Sequence, residues 1–146
     1  MKFRLIVDPT AEESVVVTAR RPSALTQSIE DLVLSDAGED RIAVRDGDGL
    51  LWLAFREIEC LTVSERRVVA LAENGKRYRV SGSLAELEGR LPSYFLRINK
   101  STIANEYAIL RFSATFHGGI DAHFRCGYKD YISRRCYAEI KRRLRE

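Results

Sequence analysis

The sequence predicts a mostly β fold with short helices, α+β overall, and two observations carry that prediction. Apolar and β-branched runs are broken by turn dipeptides, with Asp48-Gly49 after residues 41–45, Asn74-Gly75 after 66–72 and Gly118-Gly119 after 110–116. Helical periodicity, in contrast, is confined to three short stretches. A chain of 146 residues with 45% hydrophobic content can bury one real core and add a compact appendage to it.

The appendage comes first. Residues 2–7 alternate Phe3, Leu5 and Val7 with Lys2, Arg4 and Ile6, and residues 14–19 are rich in the β-branched Val15, Val16, Val17 and Thr18, so both read as strands. Pro22 and Ser23 mark the start of a helix whose Leu25, Ile29, Leu32 and Val33 recur at helical spacing until the stretch 35–40 breaks the pattern. Residues 1–40 are therefore expected to form a small β-β-α unit, and 41–146 the main module. Within the module, Ser83-Leu84-Ala85-Glu86 matches a capping box, Leu84, Leu87 and Leu91 share a face, and Pro92 stops the helix. A last helix should begin after Ser133, the natural N-cap, and bury Cys136, Tyr137, Ile140 and Leu144.

Charge divides the chain at the same place. Residues 1–40 hold 4 Lys/Arg against 8 Asp/Glu and residues 41–146 hold 20 against 13, so the parts carry −4 and +7 within a net charge of +3. A basic module behind an acidic one suits a polyanion ligand for the larger part and a different task for the smaller. Three cysteines, Cys60, Cys126 and Cys136, leave at least one thiol unpaired, as in a reducing compartment. Without a membrane-length apolar run or a secretory signal, a cytoplasmic protein is expected.

Residues 95–105 are the most informative stretch. Arg97, Asn99, Lys100, Ser101 and Thr102 can all donate hydrogen bonds and no carboxylate lies among them, and Phe95, Ile98 and Ile103 could fix the loop to a core while these donors face outward. Such chemistry fits phosphates and base edges rather than acid–base catalysis. Arg134 and Arg135 fall in the first turn of the last helix, where the backbone is already positive and an external anion relieves the excess. Ser64-Glu65-Arg66-Arg67 adds cations at the entrance to a strand. Three basic points, at Arg66, Lys100 and Arg135, are what a module needs to follow a phosphate backbone.

Other chemistry is poorly supported. Asp46-Gly47-Asp48-Gly49 with Glu57 lacks the sixth-position glycine of a calcium loop, where Leu51 stands. His123 and Cys126 have no second close ligand pair for zinc, and neither His117 nor His123 has a nucleophile signature beside it. Trp52, Phe55, Phe95 and Tyr137 read as core residues. No enzyme and no cofactor is expected.

From about Arg41 to Leu144 the sequence resembles the LytTR DNA-binding domain of bacterial transcription regulators. The resemblance rests on an ordered set: Ile58-Glu59, Glu73-Asn74-Gly75, the helix 84–88, Phe95-Leu96-Arg97-Ile98-Asn99-Lys100-Ser101, Ile103-Ala104-Asn105 and Tyr131-Ile132-Ser133-Arg134-Arg135. It implies an elongated, mostly β fold of about ten strands that reads double-stranded DNA through loops entering successive grooves. Carried over, the first reading loop falls on Glu65, Arg66 and Arg67, the second on Asn99, Lys100 and Ser101, and the third on Arg134 and Arg135. The residue before Lys100 is Asn99 where many members carry histidine, and the 40-residue front end has no room for a phosphoacceptor receiver domain. The resemblance thus implies a sequence-specific DNA-binding transcription regulator without a receiver domain. It would act as a homodimer or as paired protomers on repeats, with an integral-membrane inhibitor as a further partner. The alternatives are an RNA-binding or a protein-interaction β module.

Overall fold

The computed structural model describes the backbone of residues 2–12, 14–36 and 40–144. Ten strands form two sheets. The larger contains β1 (Arg41–Asp46), β2 (Gly49–Ala54), β3 (Ile58–Ser64), β4 (Arg67–Ala72), β5 (Arg77–Val80), β6 (Phe95–Asn99) and β7 (Thr102–Asn105), in the spatial order β2-β1-β5-β4-β3-β7-β6. The smaller contains β8 (Ile109–Ala114), β9 (Ile120–Phe124) and β10 (Lys129–Ile132), in the order β10-β9-β8. Helices α1 (Ala24–Asp36), α2 (Leu84–Glu88) and α3 (Arg134–Leu144), with short 3-10 turns at Phe55–Glu57 and Glu106–Ala108, complete the described elements. The mostly β class and the three short helices agree with the sequence reading.

Turns form at all three expected places, with the first shifted by one residue: Gly47-Asp48 makes the turn and Gly49 opens β2 where Asp48-Gly49 was expected. Gly47 (φ 61°) helps close the β1–β2 hairpin and Gly118 (φ 82°) lies in the β8–β9 turn, conformations that an L side chain resists. Asn74 Oδ1 accepts from the Lys76 N–H across the turn between β4 and β5. Helix starts agree too. The Glu86 N–H donates to Ser83 Oγ, and the Cys136 N–H to Ser133 Oγ, at 3.2 Å each.

β3 is the central strand of the packing, because both of its faces are covered. Ile58 and Leu61 join a cluster with Val44, Phe55, Leu87, Phe95 and others on the α2 side. Cys60 joins Ile98, Ala104, Phe124, Ile132 and Ile140 on the opposite side, beneath the small sheet and α3. Strand alternation sends neighbours to opposite faces, so a strand buried at five successive positions needs two cores, and the register shift between Ile58 and Cys60 lets those two residues enter different ones.

The front segment departs from expectation. Helix α1 forms, capped reciprocally by Ser23 and Thr26, and Asp31 Oδ2 accepts from Ser93 Oγ. Residues 2–7 and 14–19, expected as strands, are neither strand nor helix. β-propensity describes fitness for a half-buried pleated surface, and a two-stranded hairpin with nothing packed on it is marginal in water. Phe3 is 91% exposed and Val16 85% exposed, and although Val15 and Val17 border a recess with Ile29 and Val33 of α1, neither segment pairs with a strand among the described residues. The expected apolar stripe of α1 is also largely open: Leu25, Leu32 and Val33 are exposed.

Candidate nucleic-acid interface

Strand register places the expected loops at one end of the large sheet. β3 and β4 close through Ser64↔Arg67 around Glu65 and Arg66, and β6 and β7 close through Asn99↔Thr102 around Lys100 and Ser101. Thr62 pairs with Thr102 in the antiparallel β3–β7 ladder, which sets these two hairpin tips side by side. The Val63 N–H donates to the Ser101 carbonyl at 2.9 Å. The third element joins them at β6, where the Ser133 N–H donates to the Ile98 carbonyl at 2.8 Å. Lys100 and Arg135 line one groove of about 830 Å³ together with Arg97, Asn99 and Tyr131.

Arg66, Arg67, Lys100, Arg134 and Arg135 are all exposed. Ion pairs among the described residues join Arg97 to Glu88, Arg142 to Glu139 and Arg143 to Glu106, and none involves these five cations. Their charge is available to an external anion.

Asn99 does not face outward as the sequence reading expected. It is 1% exposed; its Nδ2 donates to the Tyr131 carbonyl at 2.8 Å, and its Oδ1 accepts from the Ser101 N–H at 2.8 Å. A bulge at Ile98, between the register pairs Arg97↔Ile103 and Asn99↔Thr102, shifts the alternation and turns Asn99 inward. The side chain therefore closes the tip and ties it to β10. Thr102 is likewise buried, donating to Asp130 Oδ2 at 2.6 Å and sitting 2.9 Å from Thr62 Oγ1. Of the five donors expected to face outward, Lys100 and the half-buried Ser101 occupy the tip.

These inward groups form the mounting of the site. The chain Thr62–Thr102–Asp130 crosses from the large sheet to the small one, and Tyr128 Oη also donates to Asp130. Deeper in, the Cys126 N–H donates to Oε1 of the buried Glu59 at 2.8 Å. Burial pushes the thiols of Cys60 and Cys126 and the phenol of Tyr128 above their ordinary pKa values. The neutral forms suit a seam between sheets better than a reactive centre. His123, weighed as a zinc ligand, lies 2.6 Å from Ser113 Oγ.

Trp52 corrects another expectation. It is 60% exposed, with the Arg41 guanidinium 4.5 Å from its ring centroid, because β2 is a sheet edge with no cover on that face. Tyr107 and Phe116 are exposed as well, but they lie in the turn after β7 and in the β8–β9 turn. Of the exposed aromatics, Tyr131 lines the groove with Lys100 and Arg135. Two cations that sequence reasoning missed, Arg45 and Arg79, stand directly opposite each other on β1 and β5. Residues so far apart in sequence become neighbours only through strand register.

The fold and the site define a class: a β scaffold that presents exposed cations from adjacent hairpin tips at one end of its large sheet and from the helix start docked beside them. The LytTr DNA-binding domain family model matches residues 48–145. A solved LytTr DNA-binding domain, from a Bacillus cereus protein described as a methyl-accepting/DNA response regulator, shares the fold. The TM-score is 0.66 at 21% identity, covering 72% of this chain and 96% of that one. An uncharacterized HTH-type transcriptional regulator of Staphylococcus aureus (strain bovine RF122 / ET3-1) is 30% identical over 146 residues, covering 99% of this chain and 98% of that protein. Its counterpart in strain NCTC 8325 / PS 47 is 30% identical over 153 residues with the same coverages. The chain belongs to the LytTr DNA-binding domain family. Five strands separate α1 from α2 and five separate α2 from α3, so no two described helices adjoin as a helix-turn-helix requires.

Proposed function

We propose that the protein is a transcription regulator that recognises duplex DNA sequence-specifically through the β3–β4 tip, the β6–β7 tip and the start of α3. The observation that carries this reading is that five exposed cations, from two adjacent hairpin tips at one end of the large sheet and from the start of α3 hydrogen-bonded to β6, take part in no ion pair among the described residues. Arg66 and Lys100 contact bases or adjacent phosphates, and Arg135 a base edge or backbone at the helix start. Ser101 adds an uncharged bond from the tip, whereas Asn99 acts by positioning it. The exposed aromatics mostly lie away from the loops, so stacking of unpaired bases, the usual means of single-stranded RNA recognition, is not favoured.

Selection of bound fragments from random duplexes tests the reading directly. A specific site should emerge, and its affinity should fall with salt with a log–log slope of about −4 to −6, for about five to six neutralised phosphates. Equal affinity for selected and scrambled duplexes across the salt series would sink sequence readout.

The front segment fits self-association with a second copy. Residues 2–7 and 14–19 make no backbone hydrogen bond among the described residues and expose Phe3, Leu5, Ile6, Val7, Val15, Val16 and Val17. An antiparallel pair of two copies of residues 2–8, centred on Leu5, sets Phe3 opposite Val7 on one face and Lys2 opposite Asp8 on the other. Opposite charges and apolar contacts then coincide in one register.

A further inference from the structure

We propose that Arg45 and Arg79 form a second phosphate-binding station, which extends the DNA contact sideways beyond the three loops. This rests on the DNA-binding reading above and adds residues and a direction to it.

Arg45 and Arg79 stand on adjacent strands as directly opposed register partners, Arg45↔Arg79. Together with Arg66 and Arg67 they line a recess of about 240 Å³. All four are exposed, and among the described residues none has an ion pair or a side-chain hydrogen bond. Asp46, Asp48 and Glu65 lie nearby in sequence but do not line the recess. Like charges placed directly opposite across a ladder are destabilising. Gathering four cations without an internal counter-charge is a cost that an external polyanion removes.

Register also fixes which way the recess faces. Arg79 pairs with Val69, Val69 with Thr62, and Leu71 with Cys60. Paired residues share a face, as do residues two apart on one strand. Arg45, Arg79 and Arg67 therefore lie on the Cys60 face, the one covered by the small sheet and α3. Arg134 and Arg135 begin that helix. The same end and the same face thus hold the recess, the two tips and the helix start. From the β3–β4 pair to the β1–β5 pair is two strand steps, about 10 Å, or about 3 base pairs at 3.4 Å per step.

The discriminating experiment uses the full chain and a duplex selected with the wild type. The variant R45Q/R79Q should lose about 2 units of salt slope, since each neutralised phosphate contributes about 0.9. It should weaken selected and scrambled duplexes by the same factor. Its hydroxyl-radical footprint should shorten by about 3 base pairs at one end. R45K/R79K, which keeps both charges, should retain the wild-type slope, and so should K76Q, altered in the turn at the far end of β4 and β5. Thermal unfolding of R45Q/R79Q at or above the wild-type midpoint would show that the fold is intact. A wild type with a steep slope and an R45Q/R79Q variant with the same slope and footprint would overturn the station while leaving the three-loop reading standing. A wild type that retards no duplex would overturn both.

Discussion

Glu65 and Arg66 both hold positive φ, 51° and 66°, in a two-residue hairpin that requires it. Asn-Gly is the usual solution at such a turn, and a bulky side chain in the left-handed region costs about 1–2 kcal/mol. Strain kept at the tip of a proposed reading loop is where a function would retain it. The double substitution E65N/R66G should therefore stabilise the protein by about 1–2 kcal/mol in denaturant titration. It should weaken binding to the selected duplex by about 1–3 kcal/mol, because Arg66 is gone. Unchanged affinity would remove Arg66 from the interface. The Arg66 and Lys100 side chains were legible in the sequence, since exposed cations beside turns have few structural uses. The strain was not, because Ser-Glu-Arg-Arg carries no turn signature. Cys60 supplies a separate residue-scale test. Its thiol pKa is raised by burial, so the unfolded chain releases a proton that the folded one keeps as pH rises above about 8.5. Stability from this group is complete below that pH and falls above it, by about 1.4 kcal/mol per pH unit. Urea titrations between pH 8 and 10.5 should show this slope in the wild type and its loss in C60A, measured as the difference between the two proteins so that tyrosine and lysine titration cancels.

At the scale of elements, the precision of the site depends on bonds between β6, β7 and β10 rather than on any one loop. Asn99 joins its own tip to the Tyr131 carbonyl, Ser133 joins the Ile98 carbonyl, and Thr102 reaches Asp130. These bonds fix the distance between Lys100 and Arg135. Asn99→Ala should cost about 1–3 kcal/mol of stability by leaving buried backbone groups unsatisfied. It should lower affinity for the selected duplex without changing the salt slope, since no phosphate contact is removed. A reduced slope would mean that Asn99 touches DNA after all. The starts of α2 and α3 and the glycine-bearing hairpin turns were readable because capping serines and turn glycines act over three or four residues. The inward turn of Asn99 was not, because it depends on a bulge that only the β6–β7 register reveals. Residues 2–7 and 14–19 show the complementary failure: local propensity named strands, and among the described residues no strand pairs with them.

For the whole molecule, charge separates the loop-bearing module from the front segment: residues 41–146 are net basic and residues 1–40 net acidic. The basic module carries its loops at one end, in a row whose extent follows from seven strands about 4.8 Å apart. The front segment is net acidic, unsuited to a phosphate backbone, and presents apolar side chains in quantity. An exposed, unpaired extended segment invites pairing with another chain. Phe3, Leu5 and Val7, which share one face of such a pair, are all exposed in the single copy. A centre at Leu5 makes the consequence specific, because a two-fold axis brings that residue against its own copy. Leu5→Glu would place two carboxylates face to face there, while Lys2 and Asp8 stay in place. Sedimentation should then change from dimer to monomer. On the selected duplex, the complex should shift from two protomers to one with the salt slope per protomer retained. A wild type that remains monomeric at every concentration tested, or an L5E variant as dimeric as the wild type, would assign the segment instead to a different partner, with a membrane-embedded inhibitor the next to be tried.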